Sequence, residues 1–214
     1  MYRTTWCMAA AMAMTVFAAG AALAQQPAKH PPAVSKMGIP YLAEDAPGVP
    51  PDLVAAIKSR RGGKLLNLDR MLLHSPKFAQ GWNTMFAAIR NQLSVSPKLR
   101  ELTIMAIGVL NSADYEWVQH EAEFLKAGGT RDQLQALRKN PDGVEKDAKL
   151  FDDSERATLA LTREMTKNIA VSDATMKRIR GLLNSDQQLI ELIGTIAGYN
   201  MVSRFVVATG LEAE

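Results

Sequence analysis

A chain of 214 residues, 47% apolar and 22% charged, is long enough for one domain with a real core and leaves little room for a second. Its 25 cationic and 22 acidic side chains give a formal charge of +3, too small to point to a nucleic-acid partner. The single cysteine, Cys7, excludes a disulfide framework within the chain and a cysteine-ligated metal.

Arg3, followed by the small and apolar run Trp6 to Leu23, reads as a secretory signal, with Ala22-Leu23-Ala24 as a small-x-small cleavage site. The alternative is an uncleaved anchor, for which this run, interrupted by Thr15 and Gly20, is of borderline length. Cleavage before Gln25 would leave 190 residues of the 214, with 24 cationic against 22 acidic side chains, a charge of +2, and no thiol. The expected organisation is a signal over 1–24, a proline-rich arm over 25–51 and a helical domain over 52–214. Seven prolines between Pro27 and Pro51 remove backbone donors and forbid long helices in the arm. It is either a spacer or a segment lying across a neighbouring subunit.

From Asp52 the apolar residues recur at helical spacing, and no useful strand-like alternation appears. A short helix ends at His74. Ser75-Pro76 and Ser96-Pro97 each set a capping hydroxyl before a proline at the first helical position, which predicts helices near 76–92 and 97–111. A helix from Asp114 closes at Gly128-Gly129, and Thr130 with Gln133 opens the next as a capping box. Asn140-Pro141-Asp142-Gly143 reads as a turn. Asp153 or Ser154 caps a helix to about Asn168, and Ser172 and Ser185 start two more. The last of these carries an apolar face broken by Gly194 and Gly198, where close helix packing is expected. The architecture is an all-α bundle of about seven or eight helices.

Of the three histidines, His30 falls in the arm and His74 at a helix end. His120 lies in Asp114-Tyr115-Glu116-Trp117-Val118-Gln119-His120, where helical spacing sets Glu116, Trp117, His120 and Phe124 along one side. Glu101 sits in the first turn of the preceding helix beside Arg100, where the helix dipole favours a carboxylate. The short Asn111-Ser112-Ala113 connection brings both helices to a shared surface. On the residues alone, His120 is either a site residue or a hydrogen-bonded helix histidine, and Glu101 either a site residue or a dipole-stabilised acid. No spacing resembles a metal site; a Glu-x-x-x-His pair is too little for one.

Pro97-Lys98-Leu99-Arg100-Glu101-Leu102-Thr103-Ile104, then Asn111 to His120, then Gly128-Gly129-Thr130, closely resemble the core of the carboxymuconolactone decarboxylase and alkyl hydroperoxidase D superfamily. Weaker similarity reaches from Trp82 to Glu191, Tyr199-Asn200 and Arg204. The resemblance implies an alkyl hydroperoxidase D-like helical fold. The hydroperoxidase branch places a glutamate, a Cys-x-x-Cys pair and a histidine on this helix pair. Here the glutamate falls on Glu101 and the histidine on His120, while the thiol positions are Ala113 and Glu116 and Tyr115 stands where that branch has another histidine.

Without a thiolate there is no nucleophile for a peroxide. The resemblance therefore implies the decarboxylase branch: a cofactor-independent lyase or isomerase acting on a small carboxylated, aromatic-derived compound. His120 would be the acid, with Glu101 or Glu116 orienting its ring. Tyr115 is a further catalytic candidate, and Arg100 and Trp117 would bind substrate. An exported protein without nucleic-acid or membrane partners, assembled as a trimer or hexamer, is expected. The competing readings are an antioxidant peroxidase-type protein and a non-catalytic binding or structural oligomer.

Overall fold

The computed structural model describes residues 34–214, so the expected signal lies outside the described residues. Nine α-helices follow in order: α1 Pro51–Arg60, α2 Asn67–Leu72, α3 Pro76–Asn91, α4 Pro97–Leu110, α5 Asp114–Lys126, α6 Arg131–Lys139, α7 Asp153–Lys167, α8 Asp173–Arg180 and α9 Asp186–Ala208. A 3-10 turn, Val144–Lys146, precedes α7. The all-α class is as expected, and the helix beyond the seven or eight is α1. It starts on Pro51, within the expected arm, because a proline at the first helical position forgoes only an N–H that would have no partner in the helix. No described helix is long and apolar enough to cross a membrane.

The helix starts follow local chemistry. Ser96 Oγ accepts from the Leu99 amide, Ser172 from Thr175 and Ser185 from Gln188, while Thr130 and Gln133 close a capping box. Two starts differ from the sequence reading. Ser75 makes no side-chain capping bond. The α7 cap is Asp152, whose capping box with Glu155 leaves Asp153 and Ser154 inside the first turn.

Helix α4 is apolar nearly all round and sits at the centre, packed against α5, α7 and α9. Ile104 and Ile107 join a core built with α1, α2, α3 and α9. Leu102, Met105 and Ala106 join a second, with Trp117, Phe124, Leu137 and Leu159. A Cβ added at Gly198 would lie 3.1 Å from Ile89 Cδ1, the expected close packing, whereas one at Gly194 would meet nothing within 4 Å.

Gly129 shows why the turn after α5 needs glycine. A Cβ there would lie 2.3 Å from the ring of Phe124, which is fully buried. Gly129→Ala must displace that ring and is expected to cost about 1–3 kcal/mol. A thermal melt should show a midpoint lower by roughly 3–10 °C; an unchanged midpoint would mean that the ring moves freely.

Over residues 34–50 the arm lies along its own chain. The Lys36 amide donates to Gly210 O at 2.9 Å, a ring nitrogen of His74 is 2.7 Å from Pro40 O, and Arg70 Nη1 donates to Leu42 O at 3.1 Å. Tyr41 is buried and its hydroxyl accepts from the Glu212 amide. The C-terminal segment runs alongside, and the Glu214 side chain accepts from the Asn67 amide and from Gln119 Nε2.

Candidate functional site

Glu101, 1% exposed, is the fifth residue of α4 and so lies just beyond the first turn, where the sequence reading expected it, and the middle of α5 carries His120. Their helices pack together, and His120 Nδ1 lies 2.8 Å from Glu101 Oε2. A carboxylate only accepts, so Nδ1 carries the hydrogen and Nε2 is left as the nitrogen free to exchange a proton. Arg90, at the end of α3, donates to Glu101 Oε1 at 2.6 Å, and Arg100 Nε donates to the same oxygen at 3.3 Å. Burial would push the Glu101 carboxyl up, but the hydrogen bond and charge of His120 and the guanidiniums of Arg90 and Arg100 outweigh it and hold the group below the usual carboxylate range.

One turn earlier on α5, Glu116 Oε2 is 3.5 Å from His120 Nε2 without a hydrogen bond. Glu116 and His120 line a cavity of about 330 Å³ together with Tyr115, Arg90, Trp82 and Phe86. The ring of Tyr199, from α9, meets His120 edge-on at 5.3 Å. Burial pushes the Tyr199 phenol up to about 12 and drives the Tyr115 phenol up as well. Arg60, Arg61, Lys64 and the acidic Glu123 also line the cavity. The first two are anchored by Asp69, which is fully buried: Arg61 Nε is 3.0 Å and Arg60 Nη2 3.5 Å from its carboxylate. Burial and the neighbouring Arg61 lower the Arg60 guanidinium to about 10.

Two expected positions differ. The sequence reading sets Trp117 with Glu116 and His120, but one residue along a helix is about 100° of rotation, and Trp117 turns with Phe124 into the second core. There its Nε1 donates to Glu121 at 3.0 Å and Arg138 stacks 4.0 Å over the ring. Arg100 does not line the cavity; its guanidinium is held by Glu101. The sequence reading missed the cavity cations Arg60, Arg61, Lys64 and Arg90, of which the one bonded to Glu101 is Arg90. Its signal was present: Trp82, Phe86 and Arg90 recur every four residues, setting a charge in the apolar stripe of α3.

The carboxymuconolactone decarboxylase family model matches residues 76–149, the segment that supplies Arg90, Glu101, Tyr115, Glu116 and His120. This match, together with the fold of the solved structures below, supports the carboxymuconolactone decarboxylase and alkyl hydroperoxidase D-like superfamily for the chain. Solved structures repeat the superfamily fold at low identity. An alkylhydroperoxidase D-core, peroxidase-related protein from Ralstonia eutropha JMP134 is 18% identical with a TM-score of 0.67, covering 85% of this chain and 93% of its own. The debrominase Bmp8, solved as a variant in complex with 2,3,4-tribromopyrrole, is 18% identical with a TM-score of 0.65, covering 81% and 89%. A peroxidase-related protein from Silicibacter sp. TM1040 is 16% identical with a TM-score of 0.62, covering 79% and 88%. No curated protein matches the chain.

Among the described residues, no group of three His, Cys, Asp or Glu side chains is placed to hold a metal ion. The carboxyl of Glu116 behaves oppositely to that of Glu101. Burial dominates and pushes it up, against the pull of His120, Arg61 and Arg90. A carboxyl raised in the folded state contributes stability fully below its unfolded value, about 4.3, and loses it as pH rises through the folded value. Glu116→Gln should therefore melt like the wild type in acid and increasingly above it as pH rises. Thermal melts across the pH range that stay parallel would contradict a carboxyl raised by burial.

Proposed function

We propose that this cavity carries out cofactor-independent acid–base chemistry, a lyase or isomerase reaction on a small carboxylated, aromatic-derived compound. The single observation that carries the reading is the Glu101–His120 pair, bonded at 2.8 Å, with His120 lining a cavity whose wall also holds Arg60, Arg61, Lys64 and Arg90. An anionic substrate is attracted to such a wall, and guanidiniums suit a carboxylate. Glu101 is a positioning residue that sets the tautomer of His120, leaving Nε2 to move the proton.

In the lyase direction, the carbon–carboxyl bond breaks and its electron pair passes into a dienolate. Carbon dioxide leaves, and His120, entering the step with a proton on both ring nitrogens, gives the Nε2 proton to carbon, is left neutral and regains a proton from solvent. In the isomerase direction, the same nitrogen removes one proton and returns it at another carbon. The only cysteine is Cys7, ahead of the expected cleavage point, and positions 113 and 116 are Ala and Glu, which counts against thiol peroxidase chemistry. The proposal places the protein outside the cytoplasm, as a homo-oligomer of three or six subunits.

The test is a screen of the purified protein against carboxylated lactones and ring-cleavage products by ultraviolet absorbance and mass spectrometry, beside a hydroperoxide assay. Loss of carbon dioxide or a double-bond shift supports the reading. Activity on hydroperoxide alone, or silence in every assay from an intact folded protein, moves the weight to a peroxidase-type protein or to a binding or structural oligomer.

A further inference from the structure

Two buried polar atoms in the cavity lack a partner. The Tyr115 hydroxyl and Glu116 Oε2 make no hydrogen bond among the described residues, and the two side chains belong to residues only 4% and 3% exposed. Leaving such a group unpaired costs on the order of 1–3 kcal/mol, so native structures seldom do so without a ligand or solvent partner. The other buried atoms of this kind are in Thr103, Glu145, Glu155 and Thr158, none of which lines this cavity. Tyr115 and Glu116 are consecutive residues in the first turn of α5, and both line the cavity with His120.

We propose that Tyr115 and Glu116 donate hydrogen bonds, from the phenol and the carboxyl, to the acceptor oxygens of an enolisable carbonyl group in the substrate, and hold those oxygens as negative charge develops. Donors fixed in a dry site ahead of the reaction stabilise such charge without reorganising. A neutral carboxylic acid beside a tyrosine is an established way to build an enolate-oxygen site, as ketosteroid isomerase shows. The groups that act on Glu116 are His120, Arg61, Arg90 and Glu101, and burial outweighs their combined effect and raises its carboxyl above the usual carboxylate range. Burial likewise keeps the Tyr115 phenol protonated.

This deepens, and rests on, the acid–base reading of the cavity, and it divides the labour there. As the carboxyl bond breaks, or as a proton leaves carbon, the electron pair delocalises onto the carbonyl oxygen. Tyr115 and Glu116 keep their protons and bond to that oxygen group, while His120 supplies the proton that carbon receives. The ligand class is accordingly a compact carbonyl compound, a lactone or a conjugated keto acid, able to form an enolate.

The test uses 4-nitrophenolate, whose anionic oxygen imitates an enolate oxygen and whose absorption reports binding. Wild-type protein should bind it saturably. Tyr115→Phe and Glu116→Leu should each weaken binding about tenfold or more, while Glu116→Gln, which keeps an N–H donor, should stay within roughly threefold. Wild-type affinity should fall as pH rises and Glu116 ionises. The proposal is overturned if the wild type binds without saturation, if Tyr115→Phe and Glu116→Leu bind as the wild type does, or if Glu116→Gln loses as much as Glu116→Leu. Melting curves establish that each variant is folded; should Glu116→Leu fail to fold, the contrast between Tyr115→Phe and Glu116→Gln decides. His120→Ala distinguishes this from the parent reading, since it should lower turnover by about 10²–10⁴-fold and leave probe binding within a few fold.

Discussion

Replacing His120 by alanine is expected to lower turnover of any substrate found by about 10²–10⁴-fold, the usual contribution of a positioned acid or base. The reason is local: Nδ1 is committed to Glu101 at 2.8 Å, so Nε2 is the nitrogen of this ring left to move a proton. Glu101→Gln is the informative companion. Its amide can donate towards Nδ1 and so favour the wrong tautomer, which should lower kcat while leaving KM nearly unchanged, since Glu101 does not line the cavity. Steady-state kinetics on both variants, with melting curves as the fold control, check this. An unimpaired His120→Ala would end the acid–base reading.

Arg90→Met should be the most destabilising change at the site. It removes the closest cation from a carboxylate that is 1% exposed, leaving Glu101 with Arg100 at 3.3 Å and His120. Removing one partner of a buried pair costs several kcal/mol; with two partners remaining, about 2–4 kcal/mol is expected. For a domain of this size that lowers the melting midpoint by roughly 5–15 °C. The pH dependence has a definite sign. The Glu101 carboxyl is lowered in the folded state, so its contribution is present above the unfolded carboxylate value and lost as pH falls through the folded one. The gap between Arg90→Met and the wild type should therefore be wide at neutral pH and narrow on acidification. A gap independent of pH would mean that the arginine acts only through packing.

The sequence reading and the structure agree where short-range chemistry decides. Proline at the first position of α3 and α4, the Thr130–Gln133 box, and the serines before α8 and α9 mark helix starts with donors and acceptors no more than four residues apart. The shift of the α7 cap from Asp153 to Asp152 is an ambiguity between consecutive residues that could each cap, resolved when the Glu155 side chain bonded back to the Asp152 amide.

Residue order alone specifies the all-α class, the succession and ends of most helices, and the presence of Glu101, Glu116 and His120 on two helices joined by a short turn. Which sides those helices show each other is a matter of packing. Helix α5 rotates so that Glu116 and His120 meet the cavity while Trp117 and Phe124 fill the second core. Packing also brings Arg90 from α3 onto Glu101, and Asp69 from α2 between Arg60 and Arg61. Helical periodicity specifies an angle about one axis, whereas the angle between axes is set by how side chains distant in the chain interlock. The charge environment of the cavity, a property of several elements at once, was therefore beyond any local pattern.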